Sequence, residues 1–188
     1  MNENKIILVN YSYNSSEPLK SITQLSEKEA FAVAEKLYKE SQCRAHRRFG
    51  PDFPVYYRHR LKTEEWLYDH FVAMGGKPET SHPYYFALQH CESLYRNFEY
   101  GKAIKINLSD IHSQDISFTF GDSVAQMGSP ERKDPFMKDQ LLSYISACDN
   151  DVNQFIDSIK EKYVCIEAQL WTDKYFSDLV PVVRNRIE

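Results

Sequence analysis

A chain of 188 residues fits one globular domain, since domains commonly run to about 100–200 residues. Apolar residues make up 42% and aromatics 14%, enough for a packed core, and no stretch approaches the ~20 apolar residues of a membrane span. A formal charge of −4 disfavours broad binding to duplex nucleic acid, and the polar start Met1–Lys5 with only Ile6–Val9 apolar after it is no signal peptide, so a cytoplasmic protein is expected.

The elements follow in order. Ile6 to Tyr13 is β-rich and reads as a strand, broken by Ser15-Ser16-Glu17-Pro18. Ser26 and Glu29 form a capping box, and Phe31, Ala34, Leu37 and Tyr38 then share one face of a helix to about Ser41. After a turn at Gly50-Pro51-Asp52 and Pro54, Val55 to Arg60 is predicted as a strand. Thr63 is predicted to cap a second helix, with Glu64 and Glu65 in its first turn. Trp66, Leu67, His70, Phe71 and Met74 form that helix's inner stripe, and Gly75-Gly76 ends it.

Tyr84 to Leu88 is a short strand and Glu92 to Phe98 one or two helical turns. Lys102 to Leu108 and Ile116 to Phe120 alternate as strands, the second placing Ser117 and Thr119 opposite its apolar set. Gly121-Asp122-Ser123 turns the chain, and residues 128–135 form a polar loop. Phe136 to Ala147 and Val152 to Tyr163 are predicted helices. Val164 to Trp171 is a last strand with Glu167 and Gln169 on one face. Strands and helices do not alternate strictly, so the expected fold is a single α+β domain, with a mixed or antiparallel sheet and four to five helices.

The charge is uneven. Residues 44–62 hold six cations (Arg44, Arg47, Arg48, Arg58, Arg60, Lys62) against Asp52 alone, a net +5, which leaves −9 for the rest of the chain. His46 and His59 can add charge below neutral pH. On the predicted strand Arg58 and Arg60 share a face, with Phe49, Phe53, Tyr56 and Tyr57 near them. Arginine forks suit phosphates and carboxylates, and aromatics among them suit nucleotide bases or single-stranded RNA. The stretch is thus a candidate site for a nucleotide or other phosphate-bearing ligand, or for RNA or an acidic protein in a non-catalytic interaction domain.

No metal site is predicted. Cys43, Cys91, Cys148 and Cys165 form no C-x-x-C pair, and histidines 46, 59, 70, 82, 90 and 112 lack metal-ligand spacing. Neither a P-loop nor a dinucleotide glycine fingerprint is present.

Two stretches resemble known families. Phe120-Gly121-Asp122-Ser123, with Gly128 five residues after the serine, resembles the first block of the GDSL esterases, which implies Ser123 as nucleophile. A serine nucleophile needs a base, and the last histidine, His112, precedes it. A wider pattern resembles the ADP-ribosyltransferases: a basic residue on an early strand, hydroxyls on a middle strand, and a glutamate on a late strand. The resemblance implies NAD as the ligand, with Arg58, Arg60 or His59 binding it. It also implies that Tyr85 stacks, that Ser117 and Thr119 shape the pocket beside Gln169, and that Glu167 is catalytic. This chain has Glu-x-Gln where that family has Glu-x-Glu or Gln-x-Glu, leaving one carboxylate.

Overall fold

The computed structural model describes residues 6–40, 48–177, 179 and 182–183. Arg44, His46, Arg47 and Cys43 lie outside them. Among the described residues, five α-helices accompany a seven-stranded sheet: α1 (Glu27–Glu40), α2 (Phe53–Ala73), α3 (Glu92–Asn97), α4 (Lys138–Ser146) and α5 (Val152–Ile159). The strands are β1 (Ile7–Ser12), β2 (Tyr84–Leu88), β3 (Lys102–Asn107), β4 (Ile116–Phe120), β5 (Phe136–Met137), β6 (Ile166–Leu170) and β7 (Val182–Val183). Their order is β5-β4-β6-β2-β1-β3-β7, and every ladder is antiparallel. The class is α+β, as the mixture of elements implied.

The two faces of the sheet differ in chemistry. On one, Leu8, Phe86, Leu88, Ile106, Phe118, Ile166, Ala168 and Leu170 form the main core with Leu141 and Ile145 of α4 and Val152 and Phe155 of α5. On the other, period-2 alternation places Tyr85, Ser117, Thr119, Glu167 and Gln169 together, and α2 lies across them. Leu67 and Phe71 of α2 pack on Trp171, the Phe71 and Trp171 rings stacked at 5.3 Å. The N-terminal half of α2 joins α1 through Phe53, Tyr57, Ala30, Ala34 and Leu37. Gly101 lets the chain pass the end of β1: a Cβ there would meet the Ser12 carbonyl oxygen at 2.2 Å.

One element departs from expectation and reshapes the candidate site. Val55 to Arg60 is helical, part of the 21-residue α2, which starts with Pro54 in its first turn. The buried positions Phe53, Tyr57, Thr63, Glu64, Leu67 and Phe71 repeat at helical spacing. Three polar residues, Arg60, Thr63 and Glu64, interrupt that stripe, and Val-Tyr-Tyr has β propensity; together they disguise the helix. Thr63 is therefore no cap. Its hydroxyl bonds the His59 carbonyl one turn back (2.9 Å). Glu64 and Glu65 sit in mid-helix. Arg58 and Arg60 do not point together, because residues two apart on a helix diverge.

Smaller differences are a β5 at Phe136–Met137 where a helix start was expected, and the short β7 pairing Val183 with Lys102. Val164 is 64% exposed and lies ahead of β6, not within it.

Candidate active site

The polar face of β4, β6 and β2 is organised by register. Ser117 stands opposite Gln169, and Thr119 opposite Glu167. Across β6, Gln169 stands opposite Tyr85. Beneath α2 the side chains join in one relay. The Trp171 indole donates to Ser117 Oγ (3.0 Å), and Ser117 donates to Gln169 Oε1 (3.1 Å). Gln169 Nε2 donates to Thr119 Oγ1 and to Glu167 Oε1, both at 3.0 Å. Ser117, Thr119 and Gln169 are buried; every amide hydrogen of Gln169 is used, which fixes its orientation.

Glu167 Oε1 also accepts the Ser123 hydroxyl (2.6 Å) and the Ser123 amide (3.3 Å). Among the described residues nothing donates to Oε2. Burial first, and then the charge of Asp122, push the Glu167 pKa up to about 7. The hydrogen bonds from Ser123 and Gln169 and the charge of Arg60 pull the other way. A carboxylate at that value exchanges a proton near neutral pH.

Glu167 lines a cavity of about 440 Å³ between β1, β2 and β6 on one side and the Ser15–Leu25 segment, α1 and the first half of α2 on the other. That volume lies in the range of small-molecule sites, roughly 300–1,000 Å³. Arg60 and Tyr85 line it too, as do Arg48, Ser12 and Asp122. The Arg60 guanidinium lies over the Tyr85 ring at 4.4 Å and so covers one of its faces. Its Nε donates to Glu64 (3.0 Å), Nη1 to the Tyr56 hydroxyl (3.0 Å) and Nη2 to Ser21 Oγ (3.2 Å). Among the described residues, three of its five N–H groups are thus used and two remain. Burial disfavours the charge of Arg60, but Tyr56, Tyr85 and Glu64 outweigh it and the guanidinium stays protonated.

Glu64 is wholly buried and fully served. Oε1 accepts from Arg60, Thr23 and Tyr85, each at 3.0 Å, and Oε2 meets His82 Nδ1 at 2.7 Å. Burial pushes its pKa up, but the His82 bond, the Arg60 charge and the Thr23 bond more than offset that and hold it below the usual carboxylate value. At the cavity's arginine end, the Arg48 guanidinium lies 5.1 Å from the Phe49 ring and 5.6 Å from the Tyr56 ring. Among the described residues, Arg48 Nε and Ser12 Oγ are buried without a hydrogen-bond partner.

Of the residues expected to form a site, then, Glu167, Arg60 and Tyr85 line one cavity. Ser117, Thr119 and Gln169 support it from below. Arg58 and His59 belong to the exposed side of α2 and do not line it, because the predicted strand is a helix. The first basic residue therefore comes from a helix and not from a strand. Ser123 bonds Glu167, and among the described residues no histidine bonds it. Arg48 and Tyr56, both within the basic-aromatic stretch 44–62, line the cavity as well, whereas sequence reasoning missed Ser12, Glu64 and His82. The four-residue spacing Tyr56-Arg60-Glu64 is the signal that a helical reading would have used. No group of three or more His, Cys, Asp or Glu among the described residues is placed to hold a metal ion, and no helix among them is long and apolar enough to cross a membrane. In comparisons with known proteins, no family model matches the chain, and no curated protein and no solved structure is similar to it.

Proposed function

We propose that this protein is an enzyme that binds a phosphate-bearing nucleotide in the 440 Å³ cavity and acts on it with Glu167. NAD is the nucleotide that the ADP-ribosyltransferase resemblance names. One observation carries the reading: a single cavity is lined by a carboxylate with one oxygen unbonded and by an arginine with two N–H groups unspent. Arg60, with Arg48 beside it, would hold the phosphates by charge-assisted hydrogen bonds.

Glu167 serves a positive charge that forms during reaction. As the bond between ribose and nicotinamide breaks, its electron pair leaves with nicotinamide and the ribose carbon becomes cationic. A carboxylate in a dry site stabilises that charge far better than water does. An acceptor's lone pair then closes the new bond at that carbon, and its proton passes to Glu167. Tyr85 braces Arg60, since the guanidinium already covers one face of its ring.

A second reading has its own observation. Arg58, His59 and Lys62 are exposed on α2 and suit an RNA or an acidic protein. Thermal-shift titrations with NAD, with ADP-ribose and with a short single-stranded RNA separate the two. A ligand bound only by the folded form raises stability by RT ln(1 + [L]/Kd). A shift with NAD and ADP-ribose that survives Arg58→Ala supports the enzyme. No shift with either nucleotide, together with RNA binding that weakens steeply with salt, would reject it in favour of the interaction domain.

A further inference from the structure

We infer that the Gly121-Asp122-Ser123 turn is the positioning element of Glu167, with Ser123 the residue that fixes which carboxylate oxygen is free to act. The inference rests on the enzyme reading for its purpose but on geometry for its content. Gly121 reverses the chain at the end of β4 with φ +77°, a conformation that glycine adopts without strain. Its amide donates to the Cys165 carbonyl (2.9 Å), and it bridges to Ile166, the residue before Glu167. The turn is thereby tied to the strand that carries the carboxylate.

Asp122 then holds the turn's shape. Its Oδ1 accepts the amides of Val124 and Ala125, both at 2.9 Å, and its carbonyl accepts the Gln126 amide at 3.0 Å. Thr119 Oγ1 donates to the Gly121 carbonyl (3.3 Å). Ser123 is left 2% exposed, with amide and hydroxyl both directed to Glu167 Oε1. With the Gln169 donor, three hydrogen bonds converge on one oxygen and none on the other. The carboxylate cannot rotate without breaking them, so Oε2 stays the reactive oxygen. The sequence Gly-Asp-Ser here serves a carboxylate and not its own hydroxyl.

The test uses the full chain and two readouts. The charged and titratable groups around Glu167 are Asp122 on the turn, Arg60 on α2, Tyr85 on β2 and Cys165 on its own strand; β4 presents only Ser117 and Thr119. The first readout is the Glu167 carboxyl titration by carbon-detected NMR in the unliganded protein. Ser123→Ala removes a hydrogen bond to the charged form, so the midpoint should rise by about one pH unit or more. Ser123→Thr, which restores the hydroxyl, should bring it back, and Asp122→Asn should move it down.

The second readout is NAD turnover against pH. In Ser123→Ala the rise of kcat with pH should shift upward with the titration while KM stays within about twofold, since a positioning residue touches no substrate. A titration midpoint in Ser123→Ala equal to that of the native chain would overturn the inference. Native protein that turns over no NAD would defeat the proposed function, and the NMR titration would still decide the role of Ser123.

Discussion

Two glutamates of this protein, Glu64 and Glu167, are treated in opposite ways by the fold. Glu64, on α2, is sealed from solvent and has both oxygens bonded, by Arg60, Thr23, Tyr85 and His82. Its pKa is held down. Glu167, on β6, has one oxygen bonded three times and, among the described residues, the other not at all and no cation bonded to it, and its pKa is pushed up to about 7. The first is a brace, and the second is the group to which the proposed chemistry is assigned. A carboxylate that the fold leaves partly unsatisfied is free to exchange its proton near neutral pH, at a cost in stability above its pKa.

The largest effect should come from breaking the brace. Glu64→Ala leaves the Arg60 guanidinium buried without its counter-charge, which costs about 3–5 kcal/mol of stability, read from urea denaturation. A loss below about 1 kcal/mol would mean that Glu64 is no brace. Next in size, Glu167→Gln should cut NAD turnover by about a hundredfold or more while nucleotide binding survives.

The same variant separates the two glutamates by the sign of its effect on stability. A carboxyl whose folded pKa is raised binds its proton more tightly when folded, so stability falls as pH rises from about 4.5 to about 7. Glu167→Gln should therefore be more stable than the native chain at pH 8, by about 1–3 kcal/mol, and close to it at pH 4. For Glu64 the sign reverses. Its folded pKa is lowered, so its contribution is present above about 4.5 and lost as pH falls below that value. Glu64→Gln should flatten the acid limb of the stability curve, measured by thermal melts from pH 3 to pH 6. Smallest of all, Arg58→Ala on the exposed side of α2 should change stability by less than about 0.5 kcal/mol and leave nucleotide binding untouched.

The sequence was informative wherever periodicity was pure. The strands around Leu8, Ile106, Phe118 and Ala168 alternate, and the helix from Glu27 carries its capping box, with the Ser26 amide on Glu29 at 3.0 Å. Ser117 and Thr119 on one face, and Glu167 and Gln169 on another, follow from the same period of two. Their direct opposition does not, because register between distant strands is set by packing across the whole sheet. The arginine side of the site was hidden for a related reason. Arg60, Thr63 and Glu64 occupy inner positions of α2, where a helix is recognised by apolar residues. Divided between a predicted strand and a predicted helix, Arg60 and Glu64 could not be seen as a pair one turn apart.

Strand β6 has a consequence for how the molecule opens. It lies between β4 and β2, bonded on both edges, and its alternate residues Ile166, Ala168 and Leu170 are rooted in the main core. Hydrogen exchange should accordingly find the amides of Glu167 and Gln169 among the last to exchange, at the free energy of global unfolding. The opposite wall, the Ser15–Leu25 segment, contains no strand and only a short turn of helix at Ile22–Gln24. Local opening is therefore expected to begin at this outer wall, while Glu167 keeps its place on β6.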